Sequence, residues 1–292
     1  MKIIQCLFLL ICLKVIHAKI CIDVTASANN EVQINYSGVN TKVVAQNEIN
    51  VFKINTRNLN KALKKYYGQK PSNAYLKSPT PWGDLYKKYH WEQVSRILSI
   101  KSARLKSITR KPVVVMTQDF ENHYNRTIKA NTGISQTVEN TFSTSWSQSS
   151  EVTISQELEY DVNVFFAKLT GTTGFSYTSS WGKSVEESET VTIGSTTSME
   201  TELAPGQAAT AVLSANRGYV EIEVVYVASL RGNVAVNFRN GYNGHYFWGP
   251  SIGKVMEAGG LSNEIVTVET IKVGVYMDSS LKVFDKVTGQ PL

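Results

Sequence analysis

Between residues 137 and 203 the chain alternates apolar and polar side chains with a period of two, twice, around a glycine-containing break. Of the fifteen even positions from 138 to 166, ten are apolar: Val138, Phe142, Trp146, Val152, Ile154, Leu158, Tyr160, Val162, Val164 and Phe166. The odd positions carry every charge and most of the hydroxyls, and Phe165 is their one apolar residue. Side chains on a strand point to alternate faces, so this segment has one apolar side and one wet side. Ala167 to Gly174 breaks the pattern, which then resumes on odd numbers with Phe175, Tyr177, Trp181, Val185, Val191, Ile193, Met199 and Leu203. Lys183, Glu187 and Glu189 fall on the apolar parity of this second run and mark an interruption. The expected structure is an antiparallel hairpin over about 137–203, with its tip at Gly171 and Gly174 and arms close to 30 residues long.

Arms of that length constrain the fold. Ordinary strands run about 5–6 residues, whereas 30 residues at roughly 3.3 Å each reach on the order of 95 Å. Either the molecule is elongated, or it folds compactly first and extends later. Half-buried strands of a soluble sheet also alternate. The mirrored pair, the missing turn signals and a Ser or Thr at 28 of the 71 positions from 132 to 202 favour a hairpin that is soluble first and lipid-facing afterwards. About 9–11 residues per strand cross a bilayer, which fits 156–166 and 175–185. The parity makes Leu158, Tyr160, Val162, Val164, Phe166, Phe175, Tyr177, Trp181 and Val185 membrane-facing. It makes Glu157, Glu159, Asp161, Asn163, Ser176, Thr178, Ser180 and Glu186 line a lumen.

Charge divides the rest. The whole chain of 292 residues carries a formal charge of +6, too mild to point to nucleic acid. Residues 19–131 hold 19 Lys/Arg against 7 Asp/Glu, and residues 132–202 hold 2 against 10. Residues 203–292 balance at 7 and 7. In the basic region Val32, Ile34 and Tyr36 read as a strand, and Leu59, Leu63, Tyr66 and Tyr67 as a helix stopped by Gly68. A second helix is expected from Asp84 through Leu85, Tyr89, Val94, Ile97 and Leu98, with Lys87, Lys88, Arg96, Lys101, Arg104, Lys106, Arg110 and Lys111 on a basic face. That face is either solvated or drawn to an anionic membrane or glycan. Residues after 203 read as strands, at Val220–Tyr226, Gly232–Phe238 and Glu264–Tyr276, with turn chemistry at Asn240-Gly241 and Asn243-Gly244.

Residues 1–18 have the pattern of a secretory signal: Lys2, an apolar run from Ile3 to Leu13, and Ala18 at the cleavage point. Secretion gives meaning to the sequons at Asn35 and Asn125 as glycosylation sites. It leaves Cys21 as the lone thiol, either buried or linking two chains. No nucleophile elbow, phosphate loop or dinucleotide fingerprint occurs, and His90, His123 and His245 lie far apart. An enzyme, a metal site and a bound cofactor are therefore not expected. Tyr66, Tyr67, Trp82, Tyr86, Tyr89 and Trp91 read first as core aromatics at helical spacing, and Tyr246, Phe247 and Trp248 as packing or a lipid- or glycan-touching patch.

The Ser/Thr-rich strand Thr137 to Tyr160, the amphipathic stretch Asp161 to Gly174 and the return ending at Leu203-Ala204-Pro205-Gly206 resemble the aerolysin-like β-pore-forming proteins, in the epsilon-toxin and mosquitocidal-toxin branch. Insect relatives of that branch include caterpillar venom toxins and follicular yolk proteins. The resemblance covers roughly residues 110–290 and implies a mainly β, elongated molecule with a small helical head. It divides the chain into a signal peptide (1–18), a basic mixed head for receptor or membrane recognition (19–111) and a pore-forming module (112–292). It also implies a homo-oligomer on the target cell membrane, recruited by a surface receptor, with one hairpin per subunit forming a barrel. The competing expectation is a secreted egg or extracellular structural protein that keeps the fold without forming pores.

Overall fold

The computed structural model describes residues 19–27, 31–147, 159–168, 171–180, 183–194 and 199–292. The signal-like residues 1–18 lie outside the described residues. Strand accounts for 61% of the described residues and helix for 14%. The elements begin with β1 (Cys21–Ala26), β2 (Val32–Ser37), β3 (Val39–Val43), α1 (Gln46–Val51), α2 (Thr56–Tyr67), β4 (Asn73–Tyr75) and α3 (Pro81–Tyr89). The middle of the chain forms β5 (Ser95–Glu121), β6 (Ile128–Asn131), β7 (Ser135–Trp146), β8 (Glu159–Lys168), β9 (Gly171–Ser180), β10 (Glu186–Gly194) and β11 (Glu200–Leu203). The chain closes with β12 (Ala208–Arg231), β13 (Ala235–Tyr242), β14 (His245–Trp248), α4 (Ile252–Gly259) and β15 (Glu264–Asp285).

A six-stranded sheet in the order β10-β7-β15-β12-β5-β3 forms the body. Its three long strands have 27, 24 and 22 residues (β5, β12 and β15), and β5 spans roughly 90 Å at the usual rise. A four-stranded sheet, β2-β1-β8-β9, packs on it, with Ile22, Val24, Val162, Val164 and Phe166 meeting Val220, Ile222, Val224, Ile271 and Val273 in one core. A second core at the far end joins Ile134, Leu203, Ala209, Ala211, Leu213 and Val283. The expected boundary between residues 111 and 112 falls inside β5.

The head follows local chemistry. Asn55 caps α2 by accepting from the Asn58 amide at 3.1 Å, and Gly68 ends it in the left-handed region at φ 73°. The buried face of α2 is Leu59, Ala62 and Leu63. Asn243 and Gly244 close the β13–β14 hairpin with φ of 46° and 80°. The second expected helix is shorter than its periodicity suggested. His90, at φ 53°, ends α3 after Tyr89. Val94 lies beyond that end, and Ile97 and Leu98 belong to β5. Val94, Arg96 and Leu98 are all buried, so a period of two also fits this run, and pairing with β12 selects it. Arg96 is accordingly not on a solvated face. It is 1% exposed, with its Nε 2.7 Å from Glu48, and donates to Asn40 at 2.8 Å.

Candidate functional site

The hairpin lies folded onto the body rather than extended. Its two arms are each broken, so the expected uninterrupted arms close to 30 residues long are absent. The outer halves, β7 and β10, pair from Ser143 opposite Glu186 to Ser135 opposite Gly194. The inner halves, β8 and β9, pair from Glu159 opposite Ser180 to Lys168 opposite Gly171. Sixteen positions separate Ser143 from Glu159, but only six separate Ser180 from Glu186. The first arm thus carries ten extra residues where the hairpin passes from one sheet to the other. Residues 169–170, between the pair Lys168 and Gly171, lie outside the described residues. Gly174 is not part of the tip; it sits inside β9 opposite Phe165.

Pairing brings the two parities together. Val162 lies opposite Tyr177 and Val164 opposite Phe175, while Asp161 faces Thr178 and Asn163 faces Ser176. Tyr160, Val162, Val164 and Phe166 are each 0% exposed, covered by the body sheet, and the Tyr177 ring stacks on Phe142 at 4.2 Å. Fully burying an apolar side chain is worth about 1.5–3 kcal/mol, so these four alone hold the hairpin by something on the order of 6–12 kcal/mol. In water that is comparable with the whole stability of a domain.

The polar parity is knitted together and to β1. Thr178 donates to Asp161 (2.8 Å), Ser176 to Asn163 (2.6 Å) and Asn163 to Asp23 (2.8 Å), and Lys19 Nζ lies 2.6 Å from Asp161. β8 runs parallel to β1 over six pairs, from Cys21–Asp161 to Ala26–Phe166. Cys21 is a buried thiol that accepts from Asn163 Nδ2 at 3.4 Å and donates to Asp23 at 3.6 Å. Glu159 and Glu186 are exposed, and Val185 is half-buried just before β10. Glu157, Leu158 and Trp181 lie outside the described residues, as do the side chains of Phe175 and Ser180.

One residue of this region was passed over in the sequence. Glu269 lies on the apolar parity of β15, between Thr267 and Ile271, and is 0% exposed. Tyr160 of β8 donates to its Oε1, and Tyr226 of β12 donates to its Oε2 at 2.8 Å. Burial raises the Glu269 carboxyl to about 7, partly offset by the two tyrosine hydrogen bonds. The only signal in sequence was a carboxylate where the alternation calls for an apolar residue.

The head carries an aromatic surface. Trp82 (43% exposed) and Tyr89 (40%) stand out, with Phe247 5.2 Å from Trp82 and Trp91 stacked on Tyr89 at 4.8 Å. Lys87 and Lys88 flank it. Trp248 turns the other way, edge-on to Tyr67 and Tyr242. Tyr246 is exposed as well, on the other parity of β14 from Phe247. Asn35 on β2 and Asn125 in the β5–β6 loop are both exposed. No group of three or more metal-ligating side chains occurs among the described residues.

No protein-family model matches the chain. It is 37% identical over 264 residues to U-megalopygitoxin(8)-Mo12 of Megalopyge opercularis, covering 90% of this chain and 91% of the relative. It is 36% identical over 264 residues to U-megalopygitoxin(8)-Mc8 of Megalopyge crispata, with the same coverage of 90% and 91%. Among solved structures it matches parasporin-2, a Bacillus thuringiensis toxin that recognises cancer cells, with a TM-score of 0.60 and 16% identity. That match covers 84% of this chain and 97% of the other. The fold is the mainly β, aerolysin-like one that the alternation and chain order suggested.

Proposed function

Since the chain belongs to the U-megalopygitoxin(8) family of caterpillar toxins, we propose that it is a secreted venom toxin that assembles on a target cell membrane and inserts its hairpin into a β-barrel pore. One observation carries this reading. The face of the hairpin made of Tyr160, Val162, Val164 and Phe166 is apolar enough for lipid, and in the folded chain it is entirely covered. β9 and β10 form the open edges of the two sheets and pair only with β8 and β7 of the same hairpin, so the hairpin can leave with its own ladders kept. The parallel β1–β8 ladder and the antiparallel β7–β15 ladder are what must break. Lipid on the outside of a barrel replaces the body sheet as cover, and the Glu159, Asp161, Asn163 and Thr178 parity faces water.

The exposed Trp82 and Tyr89 with Lys87 and Lys88 make the head a surface for a receptor or for lipid headgroups. Action by permeabilisation needs no catalysis, and the toxin relatives do not favour the egg-protein alternative. The test is release of an entrapped dye from vesicles made of lipids and membrane proteins of responsive cells. Release that grows with assembled protein is expected. Intact vesicles carrying bound, assembled protein would overturn pore formation.

A further inference from the structure

We infer that, in the assembly that forms before the hairpin leaves the body, the opposite edges of the six-stranded sheet make a head-to-tail interface between copies of this chain, with the basic β3/β5 edge of one against the acidic β10 edge of the next. The inference deepens the proposed assembly and rests on it. β3 covers β5 only from Ser95 to Ser99, so from residue 100 onward β5 has a single ladder partner, β12. β10 likewise has only β7.

The two edges carry opposite charge. β3 and β5 contain no acid before Asp119, and present Lys42, Lys101, Arg104, Lys106, Arg110 and Lys111. Arg104 and Lys106 are engaged by Glu223 and Glu221 of β12, at 2.7 and 3.0 Å, and Arg110 donates to the Ser27 carbonyl. Lys101 and Lys111 are exposed and form no ion pair among the described residues. On the other edge, β10 bears Glu186, Glu187 and Glu189 and β7 bears Glu139, all exposed, with no base on either strand. Lys183, just before β10, is the nearest base in sequence. None of these four carboxylates forms an ion pair among the described residues.

Geometry and edge chemistry both fit. Two different surfaces on opposite sides of one sheet make a heterologous contact, which repeats from copy to copy and closes into a ring if the rotation allows. β5 is also blunted against indiscriminate strand addition. Its register with β12 slips at Lys101, Lys106 and Val115, and Pro112 offers no amide. Recognition therefore falls to the charges, which set partner and orientation. Exposed pairs are individually weak, so copies stay apart in dilute solution and engage once a membrane gathers them.

The test uses charge reversal of exposed residues. Lys101→Glu with Lys111→Glu reverses the two exposed bases of one edge that no carboxylate of the same chain engages, and Glu187→Lys with Glu189→Lys reverses two of the four carboxylates of the other. Each is checked for an unchanged melting temperature, then cross-linked on the responsive vesicles and sized by sedimentation. Each variant alone should lose assembled material at least tenfold, and an equal mixture should recover it, because the two then alternate around the ring. Variants that assemble alone as wild type does, or a mixture no better than either, would overturn the interface, as would wild type that never assembles on membranes. Dye release is scored separately: wild-type rings with the same charge response on intact vesicles keep the interface and defeat the pore.

Discussion

At the scale of single residues, buried polar groups set the behaviour of the folded state. Glu269 holds its proton in the folded protein up to about pH 7, because ionisation there is opposed by burial. In the unfolded chain it ionises near the ordinary carboxylate value. Between those two values folding takes up a proton. The stability this adds is therefore full below the ordinary value and is lost as pH rises through about 7. Asp119, Glu121, Glu221 and Asp285 are all held down by hydrogen bonds, so their own dependence falls at lower pH. Urea unfolding of the wild type should accordingly lose on the order of 1–3 kcal/mol between pH 5 and 7.5. Glu269→Gln should flatten that slope, and parallel curves would show that Glu269 does not set it. Arg96 makes the opposite case. Its guanidinium is held below its ordinary value by burial and sustained by Glu48. Glu48→Gln should cost about 3–5 kcal/mol by leaving that charge unpaired, read as a lowered urea midpoint, and a change within error would refute it.

At the scale of elements, the hairpin was legible and its placement was not. Period two is local, so Tyr160, Val162 and Val164 could be assigned to one face from the sequence alone, and β8–β9 pairing joins like with like. What covers that face is set by residues far away in sequence. Nothing near Tyr160 announces Glu269 or the parallel partner β1, 109 and about 140 positions distant. The ten-residue excess before Glu159 was invisible because alternation continues through it. Ile97 and Leu98 were read as helical because i, i+3 and i+4 spacing overlaps with alternation over so short a run, and Arg96 hid its role because Glu48 lies on α1. The placement also changes which substitution is informative: Arg at Val164 would enter a packed core before it met lipid. Amide exchange gives the cleaner comparison. β8 and β9 should exchange faster than β12, whose amides lie between β5 and β15 in a doubly paired strand. Equal protection would mean that the hairpin opens only with global unfolding.

At the scale of the whole molecule, the chain is a long sheet with a hairpin folded onto it. The three long strands form most of the length, while the hairpin contributes edge strands to both sheets and the centre of neither long ladder. If it deploys as a barrel, Glu159 and Asp161 recur once per subunit and become rings of negative charge. The pore should then prefer cations, measured as a reversal potential across a planar bilayer under a KCl gradient, and Glu159→Gln with Asp161→Asn should reduce that preference; an anion-selective wild-type pore would contradict the assignment. Deployment itself is tested most directly by tying the hairpin down. Thr25 of β1 and Phe165 of β8 are register partners, on strands close enough for a disulfide. In a Cys21→Ser background, Thr25→Cys with Phe165→Cys should bind membranes when oxidised without releasing dye, and should regain release on reduction. Release by the oxidised protein equal to that of the reduced protein would contradict the account, because the hairpin would then have no need to leave β1.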